Sequence, residues 1–398
     1  MSADFRFDRR ELAGSLGDLG TLLPIAMGMV LICGIDGTAL LLGVGVYYLL
    51  SGLYFRTTVP IQPMKVIGAY AIARALGPEQ ITTAGLWMGV LLLGLAAIGA
   101  VQWLARLTPK PVVRGVQLTT GVLLLTEGVR FMIGTSRLQA IHGSAEPFLF
   151  LSSLGPVPIG VFLGGAAVIL ILLLLDNRLA PAGLVVVLVG IAVGLALGGY
   201  RELAGFRLGI HLPTPIGLPD TSMLALALVS LALPQLPMTL GNAIIAQHDL
   251  TRDYFGDQVA DRASPRALAV SMGLANVVCA LFGGMPMCHG AGGLAAHYRF
   301  GARTAGSNLF IGGLFVVAGL LVGDQAAALL SVFPFSVLGA MLVFAGAQLA
   351  LQIRDVTERA DLFVALTLLG VSLASNLAVG FAVGLVLAAA FRLFRLRV

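Results

Sequence analysis

The amino-acid sequence predicts an all-α polytopic membrane protein, with fourteen transmembrane segments arranged as two inverted repeats of seven. Three observations lead to this fold class. Of the 398 residues, 58% are hydrophobic and only 11% are charged, whereas a soluble surface needs roughly 25–35% charged residues. The apolar residues form stretches of the length that crosses a bilayer. Landmarks in the first half of the chain also return in the second half.

Each predicted span is an apolar stretch bounded by charged residues or by clusters of Gly and Pro. In the first half, the spans cover residues 14–33, 38–55, 60–76, 84–104, 112–133, 155–175 and 180–198. In the second half, they cover residues 222–246, 265–282, 286–300, 304–322, 326–348, 362–375 and 377–394. Since these spans use most of the chain, we expect no soluble domain.

The distribution of basic residues predicts the orientation, because cytoplasmic loops retain Lys and Arg. With the N-terminus inside, eighteen basic residues fall on the cytoplasmic side and five on the other side, and Lys65 lies within a span. Both termini are therefore expected in the cytoplasm, in a multi-pass protein of the cell membrane. The net charge of +5 fits such loops, and we expect no nucleic-acid partner.

An internal repeat divides the chain into residues 1–200 and 220–398. The sequence of residues 189–197 returns at 379–387 with seven identities in nine positions. Pro63 and Pro286 lie 223 positions apart, as do Pro111 and Pro334. Because each half has an odd number of spans, the second half would be inverted in the membrane, which is typical of secondary transporters.

Breaks by Pro and Gly at matching positions of two inverted repeats indicate the substrate site. Two such pairs occur, residues 14–24 with 233–242 and residues 59–65 with 284–293. Since Pro is favoured in the first helical turn, Pro63 and Pro286 are expected to start the third and tenth half-helices after short extended segments. The free N–H groups of these helix ends would then form an anion site near the middle of the membrane.

Two charged residues accompany these breaks. Lys65 is the only lysine within a predicted span, and a charge at that depth indicates a functional site. It could bind an anion directly, or it could form a structural ion pair with Asp18. Asp18, among the glycines of the first break, is the candidate for coupling to a proton or cation, and it could equally cap a helix.

The other candidate substrate-binding residues are uncharged or weakly basic and lie beside the same breaks. They are Thr21, Gln62, Pro63, Met64, Gln235, Thr239, Asn242, Cys288, His289 and Gly290. Their amides and hydroxyls could coordinate the oxygens of an anion or hold irregular backbone, and the sequence does not decide between these roles. His289 is expected to donate to the substrate or to cap local backbone. With no further ligand in the sequence beside it, we expect no metal and no cofactor.

Five motifs, in order, resemble those of the molybdate transporter family, a branch of the sulfate permease superfamily. They are Gly17-Asp18-Leu19-Gly20-Thr21, Pro60-Ile61-Gln62-Pro63-Met64-Lys65, Arg114-Gly115-Val116-Gln117, Gln235-Leu236-Pro237-Met238-Thr239-Leu240-Gly241-Asn242 and Pro286-Met287-Cys288-His289-Gly290-Ala291-Gly292-Gly293. The similarity covers nearly the whole chain. It implies a core domain built from spans 1–4 and 8–11 and a gate domain built from spans 5–7 and 12–14.

The resemblance further implies secondary active uptake of a tetrahedral oxyanion by alternating access, most simply molybdate, with sulfate or tungstate as the alternatives. Membrane lipid surrounds such a protein, and members of the family often form homodimers. The branch that the sequence resembles lacks the regulatory domain that follows the last span of ordinary sulfate permeases, so we expect none here.

The sequence features leave four other functions as alternatives. A nucleobase permease of the same fold is expected to use a carboxylate in the eighth span, which residues 222–246 lack. An anion channel or a sensor that does not transport would share the site. An enzyme is not expected, because the sequence has neither a phosphate-binding loop motif nor a recognisable nucleophile and base.

Overall fold

The computed structural model describes residues 5–142, 146, 153–175, 177, 181–217 and 219–394. The start of the seventh predicted span at Ala180, and the terminal Arg395 and Arg397, lie outside this part of the chain. Within it, most residues are helical. The helices of the first half are α1 (Arg9–Ser15), α2 (Leu19–Leu31), α3 (Gly37–Phe55), α4 (Lys65–Arg74), α5 (Pro78–Ala97), α6 (Val101–Leu107), α7 (Lys110–Ile133), α8 (Arg137–His142), α9 (Ile159–Leu174) and α10 (Ala182–Ala196).

The second half continues the same pattern. Its helices are α11 (Thr221–Ala227), α12 (Leu233–Met238), α13 (Gln247–Phe255), α14 (Asp257–Arg262), α15 (Pro265–Leu281), α16 (Ala291–Phe300), α17 (Gly306–Val322), α18 (Ala326–Ser331), α19 (Phe335–Ala350), α20 (Arg359–Ala374) and α21 (Leu377–Phe394). Segments of 3₁₀-helix occupy Gly199–Leu203, Gly323–Gln325 and Leu351–Asp355, and π-helical segments occupy Leu228–Ala232 and Thr239–Ala246. The strands are β1 (Gln62–Pro63), β2 (Ser153–Leu154), β3 (Val157–Pro158) and β4 (Met287–Cys288).

The predicted class of helical membrane protein is confirmed. Among the described residues, seven helical stretches are long and apolar enough to cross a membrane: Gly37–Phe55, Pro78–Ala97, Lys110–Ala140, Thr221–Phe255, Gly306–Ser331, Phe335–Asp355 and Leu377–Phe394. Helices α1 and α2, bent by 43° at their break, make an eighth when they are counted as one span. The number of fourteen spans stays a prediction.

Glycines allow helices of the first half to pack closely against helices of the second half. A Cβ at Gly128 of α7 would lie 2.5 Å from the carbonyl oxygen of Gly339 in α19, and the reverse distance is also 2.5 Å. Two further pairs meet in the same way at longer distances. They are Gly45 of α3 with Gly312 of α17, and Gly89 of α5 with Gly273 of α15. Since a side chain at these positions would collide with backbone, the two halves are interleaved along their helices.

Two expected boundaries are wrong. Residues 233–242 were expected to break the eighth span, but they lie inside the continuous helix Thr221–Phe255. The π-helical turns on both sides of α12 supply the reason, because their wider spacing accommodates the absent N–H groups of Pro234 and Pro237. In addition, the stretch 326–348 is not one helix. It divides before Pro334, the residue that caps α19.

A carboxylate from a loop caps α19. Glu146 accepts hydrogen bonds from the N–H groups of Phe335 at 2.8 Å and of Ser336 at 2.9 Å. Burial raises the pKa of Glu146, although both donors favour its ionised form. This contact holds Glu146 against the start of α19.

Candidate functional site

Two short buried strands, β1 from the first half of the chain and β4 from the second, pair with each other. The place where they pair is called the strand crossing. β1 and β4 pair antiparallel, in the register Gln62–Cys288 and Pro63–Met287. The N–H group of Met64 extends the pairing by donating to the carbonyl oxygen of Pro286 at 2.9 Å. Helix α4 follows β1 and helix α16 follows β4, so both helices have their N-terminal, positive ends at the crossing.

The expected positions of the two prolines are wrong. Helix α4 begins at Lys65 and α16 begins at Ala291, so neither Pro63 nor Pro286 lies in a first helical turn. Pro63 belongs to β1, and Pro286 immediately precedes β4. A proline restricts the residue before it to extended conformations. The two prolines therefore keep the chain extended up to the crossing, and the helices start after it.

Each extended segment has one buried asparagine side chain that hydrogen-bonds its backbone as a neighbouring strand would. Asn276 of α15 accepts from the N–H of Met287 at 2.8 Å and donates to its carbonyl oxygen at 2.7 Å. Asn308 of α17 accepts from the N–H of Val59 at 3.0 Å and donates to its carbonyl oxygen at 2.8 Å. Neither residue was among the site residues predicted from the sequence. Both could have been noticed in the sequence, because each is a polar amide within an otherwise apolar span.

Replacing Asn276 with Ala is expected to destabilise the protein by about 2–5 kcal/mol, because two buried backbone groups lose their partners at about 1–3 kcal/mol each. The matched control is Asn376→Ala, which removes a helix cap near the surface and should cost only about 1 kcal/mol. Titration of unfolding by SDS in mixed micelles measures both changes. Equal losses in the two variants would contradict a structural role for Asn276 at the crossing.

Asp18 and Gln62 form a buried pair beside the crossing. The Nε2 of Gln62 donates to the two carboxylate oxygens of Asp18 at 2.8 and 2.7 Å. The pair lies directly against α16, because a Cβ at Gly293 would come within 2.6 Å of Asp18 Oδ2, and a Cβ at Gly290 would overlap Gln62 Oε1. That Oε1 atom has no hydrogen-bond partner among the described residues. The break between α1 and α2, strand β1 and the start of α16 therefore meet at one point.

Lys65 places a positive charge at the first residue of α4. Its side chain is half-buried, and within the described chain no hydrogen bond or ion pair holds its ammonium group. The alternative of an ion pair with Asp18 is not formed, since Gln62 holds that carboxylate instead. The charge of Lys65 still acts electrostatically on both Asp18 and Cys288. Its ammonium is thus available to a ligand.

The two helix ends at the crossing differ in how their N–H groups are used. At α4, the Oε1 of Gln235 accepts from Val66 N at 2.9 Å and from Ile67 N at 3.3 Å, and Gln235 in turn donates to Thr239 at 2.9 Å. Two of the expected free N–H groups, those of Val66 and Ile67, are therefore already bound at this end. Gln235 and Thr239, both buried, act here as a cap of α4.

The start of α16 is the open end. The N–H groups of Ala291 and Gly292 have no acceptor in the described part of the chain. Gly292 is exposed, and a Cβ there would meet nothing within 4 Å. Asn242 is half-buried beside this end, with its Nδ2 3.5 Å from the position of a Cβ at Gly290, and the half-buried Thr21 lies on α2, three residues after Asp18. Free donors, polar side chains and open space coincide at this end.

His289 lies behind the crossing, and both of its ring nitrogens have partners within the protein. Nδ1 lies 3.1 Å from the carbonyl oxygen of Pro60, so it carries the hydrogen and donates. Nε2 then accepts, from the hydroxyl of Tyr47 at 2.9 Å or of Ser271 at 3.2 Å. In this arrangement His289 ties α3 and α15 to the segment before β1, and it has no nitrogen left for a substrate.

Met64 and Cys288 are buried within the crossing itself. The thiol of Cys288 lies 3.9 Å from the carbonyl oxygen of Pro63, as a weak hydrogen-bond donor. All three cysteines are free and buried. Among the described residues, no group of three His, Cys, Asp or Glu side chains could hold a metal ion. The site therefore offers amides, hydroxyls, one ammonium and one carboxylate.

Comparisons with known sequences give one consistent class. A family model described as a molybdate transporter of the MFS superfamily matches residues 10–124 and 227–349. Molybdate transporter 2 of Arabidopsis thaliana is 33% identical over 411 residues, which cover 95% of this chain and 86% of that protein. Molybdate transporter 1 of Chlamydomonas reinhardtii is 32% identical over 473 residues, with coverage of 94% and 90%.

Solved structures with a similar fold are more distant in sequence. The transmembrane domain of a cyanobacterium bicarbonate transporter, BicA, has a TM-score of 0.67 at 19% identity and covers 96% of this chain and 98% of that chain. The structure of SLC26A9 has a TM-score of 0.66 at 16% identity, covering 96% and 65%. These similarities establish a shared fold over nearly the whole length of the chain.

Proposed function

Because this chain belongs to the molybdate transporter family, we propose that it carries molybdate across a membrane by binding the anion at the start of α16, next to Lys65. The observation that carries the proposal is the coincidence of unbound helix N–H groups with an unpaired, half-buried ammonium. A tetrahedral dianion has four acceptor oxygens. It would satisfy these donors while the helix dipole and Lys65 balance its charge.

The polar side chains of the site have complementary roles in this proposal. Asn242, close to Gly290, and Thr21, on α2 close in sequence to Asp18, would donate to the oxygens that the helix does not reach. Gln235, bonded to Thr239, caps the start of α4. A ligand oxygen that displaced Gln235 Oε1 would take over the hydrogen bond from Val66 N. Gln62, which packs against Gly290, fixes the position of the Asp18 carboxylate.

Asp18 is our candidate for coupling transport to a proton. An ionised carboxylate in the same buried site repels a dianion, and that repulsion is strong where the dielectric constant is low. A proton on Asp18 would remove the repulsion. Binding of the anion and of a proton would then favour each other, which is the thermodynamic requirement for symport.

We further propose that the halves form inverted repeats of seven spans, with the core and gate domains as expected from the sequence. The glycine contacts support this arrangement. Exchanging the halves converts the pair α3–α17 into the pair α15–α5, and it leaves α7–α19 and β1–β4 unchanged. Alternating access would follow if α2, α4, α12 and α16 move with the core against α7 and α19 of the gate.

The other proposed properties follow from the family and from the charge distribution. We propose that both termini lie in the cytoplasm of a cell-membrane protein, surrounded by lipid, and that two copies form a dimer. Sulfate is the nearest alternative substrate, since it shares the charge and shape of molybdate. A relative called a probable sulfate transporter, from Mycobacterium tuberculosis, is 26% identical and is covered over 63% of its length.

The direct test is uptake of radiolabelled molybdate into proteoliposomes that contain the purified protein. We expect saturable uptake that unlabelled tungstate inhibits at lower concentrations than sulfate, and that uracil leaves unchanged. We also expect uptake to be stimulated by an inward proton gradient. Uptake of uracil without uptake of any oxyanion would overturn the proposal, as would anion currents far above the turnover of a carrier.

A further inference from the structure

A long apolar groove lies between α3 and α15, and α17 forms part of its wall. It encloses about 850 Å³. Its walls include Val46, Leu50, Leu274 and Val278, all of which are exposed and apolar. Its lining on α3 extends from Ala39 to Tyr54, or about 22 Å at the helical rise of 1.5 Å per residue. One leaflet of a membrane has a hydrocarbon depth of about 15 Å, so the groove is long enough to hold an acyl chain.

One end of the groove is polar. Arg266 and Tyr54 line this end and are exposed, and no described residue forms an ion pair or hydrogen bond with the guanidinium of Arg266. Ser51, one helical turn before Tyr54, also borders the groove. Its hydroxyl is buried and has no hydrogen-bond partner among the described residues. A cation, an amphipathic aromatic ring and a free hydroxyl therefore lie together at the head of an apolar channel.

We propose that this groove binds an anionic phospholipid of the surrounding bilayer. One acyl chain would lie along the apolar walls, the phosphate would contact Arg266, and a glycerol ester oxygen would accept from Ser51. The complementarity of charge selects this occupant over a neutral lipid. The distribution of basic residues places the Arg266 end in the cytoplasmic leaflet, where anionic lipids are concentrated. The acyl chain would contact Tyr47 and Ser271, whose hydroxyl groups hold His289.

The test is native mass spectrometry of the full-length protein taken from nanodiscs of mixed phosphatidylglycerol and phosphatidylcholine. Wild-type protein is expected to retain one phosphatidylglycerol at least ten-fold more often than phosphatidylcholine. Arg266→Gln should abolish this preference while acyl-chain binding persists. Val46→Trp, which fills the groove, should abolish retention of both lipids.

The matched controls lie outside the groove. Arg262→Gln removes an exposed arginine from the same end of the protein, and Leu314→Trp adds a ring to an exposed position of α17. Both should retain phosphatidylglycerol as the wild type does. Equal retention of the two lipids by the wild type, or an unchanged preference in Arg266→Gln, would overturn the proposal. So would a dimer that Val46→Trp converts to monomers, since a second copy would then cover the groove.

Discussion

Replacing Lys65 with Ala is expected to weaken the binding of molybdate by about 10- to 150-fold, the equivalent of about 1.5–3 kcal/mol for a lost charged hydrogen bond. The reason is that Lys65 supplies the only unpaired cation at the crossing in the described chain, and no other side chain there can replace its charge. Isothermal titration of the purified protein with molybdate measures the change directly. Lys65→Arg should lose less, because the charge remains while its geometry changes.

The chain offers a matched control in Lys110, its only other lysine. Lys110 is exposed and contacts Asp355 at 3.3 Å, together with Arg114. Lys110→Ala should therefore leave the affinity for molybdate unchanged. If Lys65→Ala binds molybdate as the wild type does while it remains folded, the anion does not contact this lysine, and the proposed site is wrong.

The double variant Lys65→Ala/Asp18→Asn, titrated with molybdate at several pH values, separates the two roles considered for Lys65. If Lys65 mainly balanced the charge of Asp18, Asp18→Asn would restore the affinity that Lys65→Ala loses. If Lys65 contacts the anion, the double variant should still bind weakly, and only the proton dependence attributed to Asp18 should disappear. A double-mutant cycle measures this difference without assuming additivity.

The prolines in the sequence correctly drew attention to the segments of the site, but the structural role predicted for them was wrong. Pro63 and Pro286 drew attention to the segments that contain β1 and β4, but proline statistics favour a first helical turn and say nothing about pairing with a distant strand. Pro234 and Pro237 carried the same signal and yet lie in a continuous helix. Whether proline breaks a helix depends on the neighbouring turns, and the π-helical widening on each side of α12 is not visible in a pattern of residue types.

The long-range hydrogen bonds of the site could not be predicted for a related reason. Asn276 lies eleven residues from its partner Met287, whereas Asn308 lies 249 residues from Val59. Each amide is ordinary in its own helix, and its importance comes from an extended segment whose backbone groups have no partner of their own. The same holds for Gln235, for which the sequence left open a role in substrate binding or in holding irregular backbone, and which caps α4. Tertiary structure decides which polar side chain is free for a ligand.

Gly293→Ala is expected to reduce molybdate uptake to less than one-tenth and to destabilise the protein by about 1–3 kcal/mol, the usual cost of an added methyl group in a packed interior. The new Cβ would lie 2.6 Å from Asp18 Oδ2, 2.7 Å from Gln62 Nε2 and 2.8 Å from Pro60 Cβ. Since all three neighbours are buried, the Asp18–Gln62 pair has to separate or the segment before β1 has to move. Initial uptake rates and SDS unfolding measure the two effects.

Helix propensity alone predicts the opposite sign, because Ala is favoured over Gly inside a helix by up to about 1 kcal/mol. Two controls use this contrast. A Cβ at Gly292, the adjacent residue, and one at Gly313 in α17 would each meet nothing within 4 Å. Gly292→Ala and Gly313→Ala should therefore keep or raise the stability, and Gly313→Ala should keep full uptake. If Gly293→Ala behaves as these controls do, α16 can move away from Asp18 and Gln62 at little cost, and the contact between them does not set the geometry of the site.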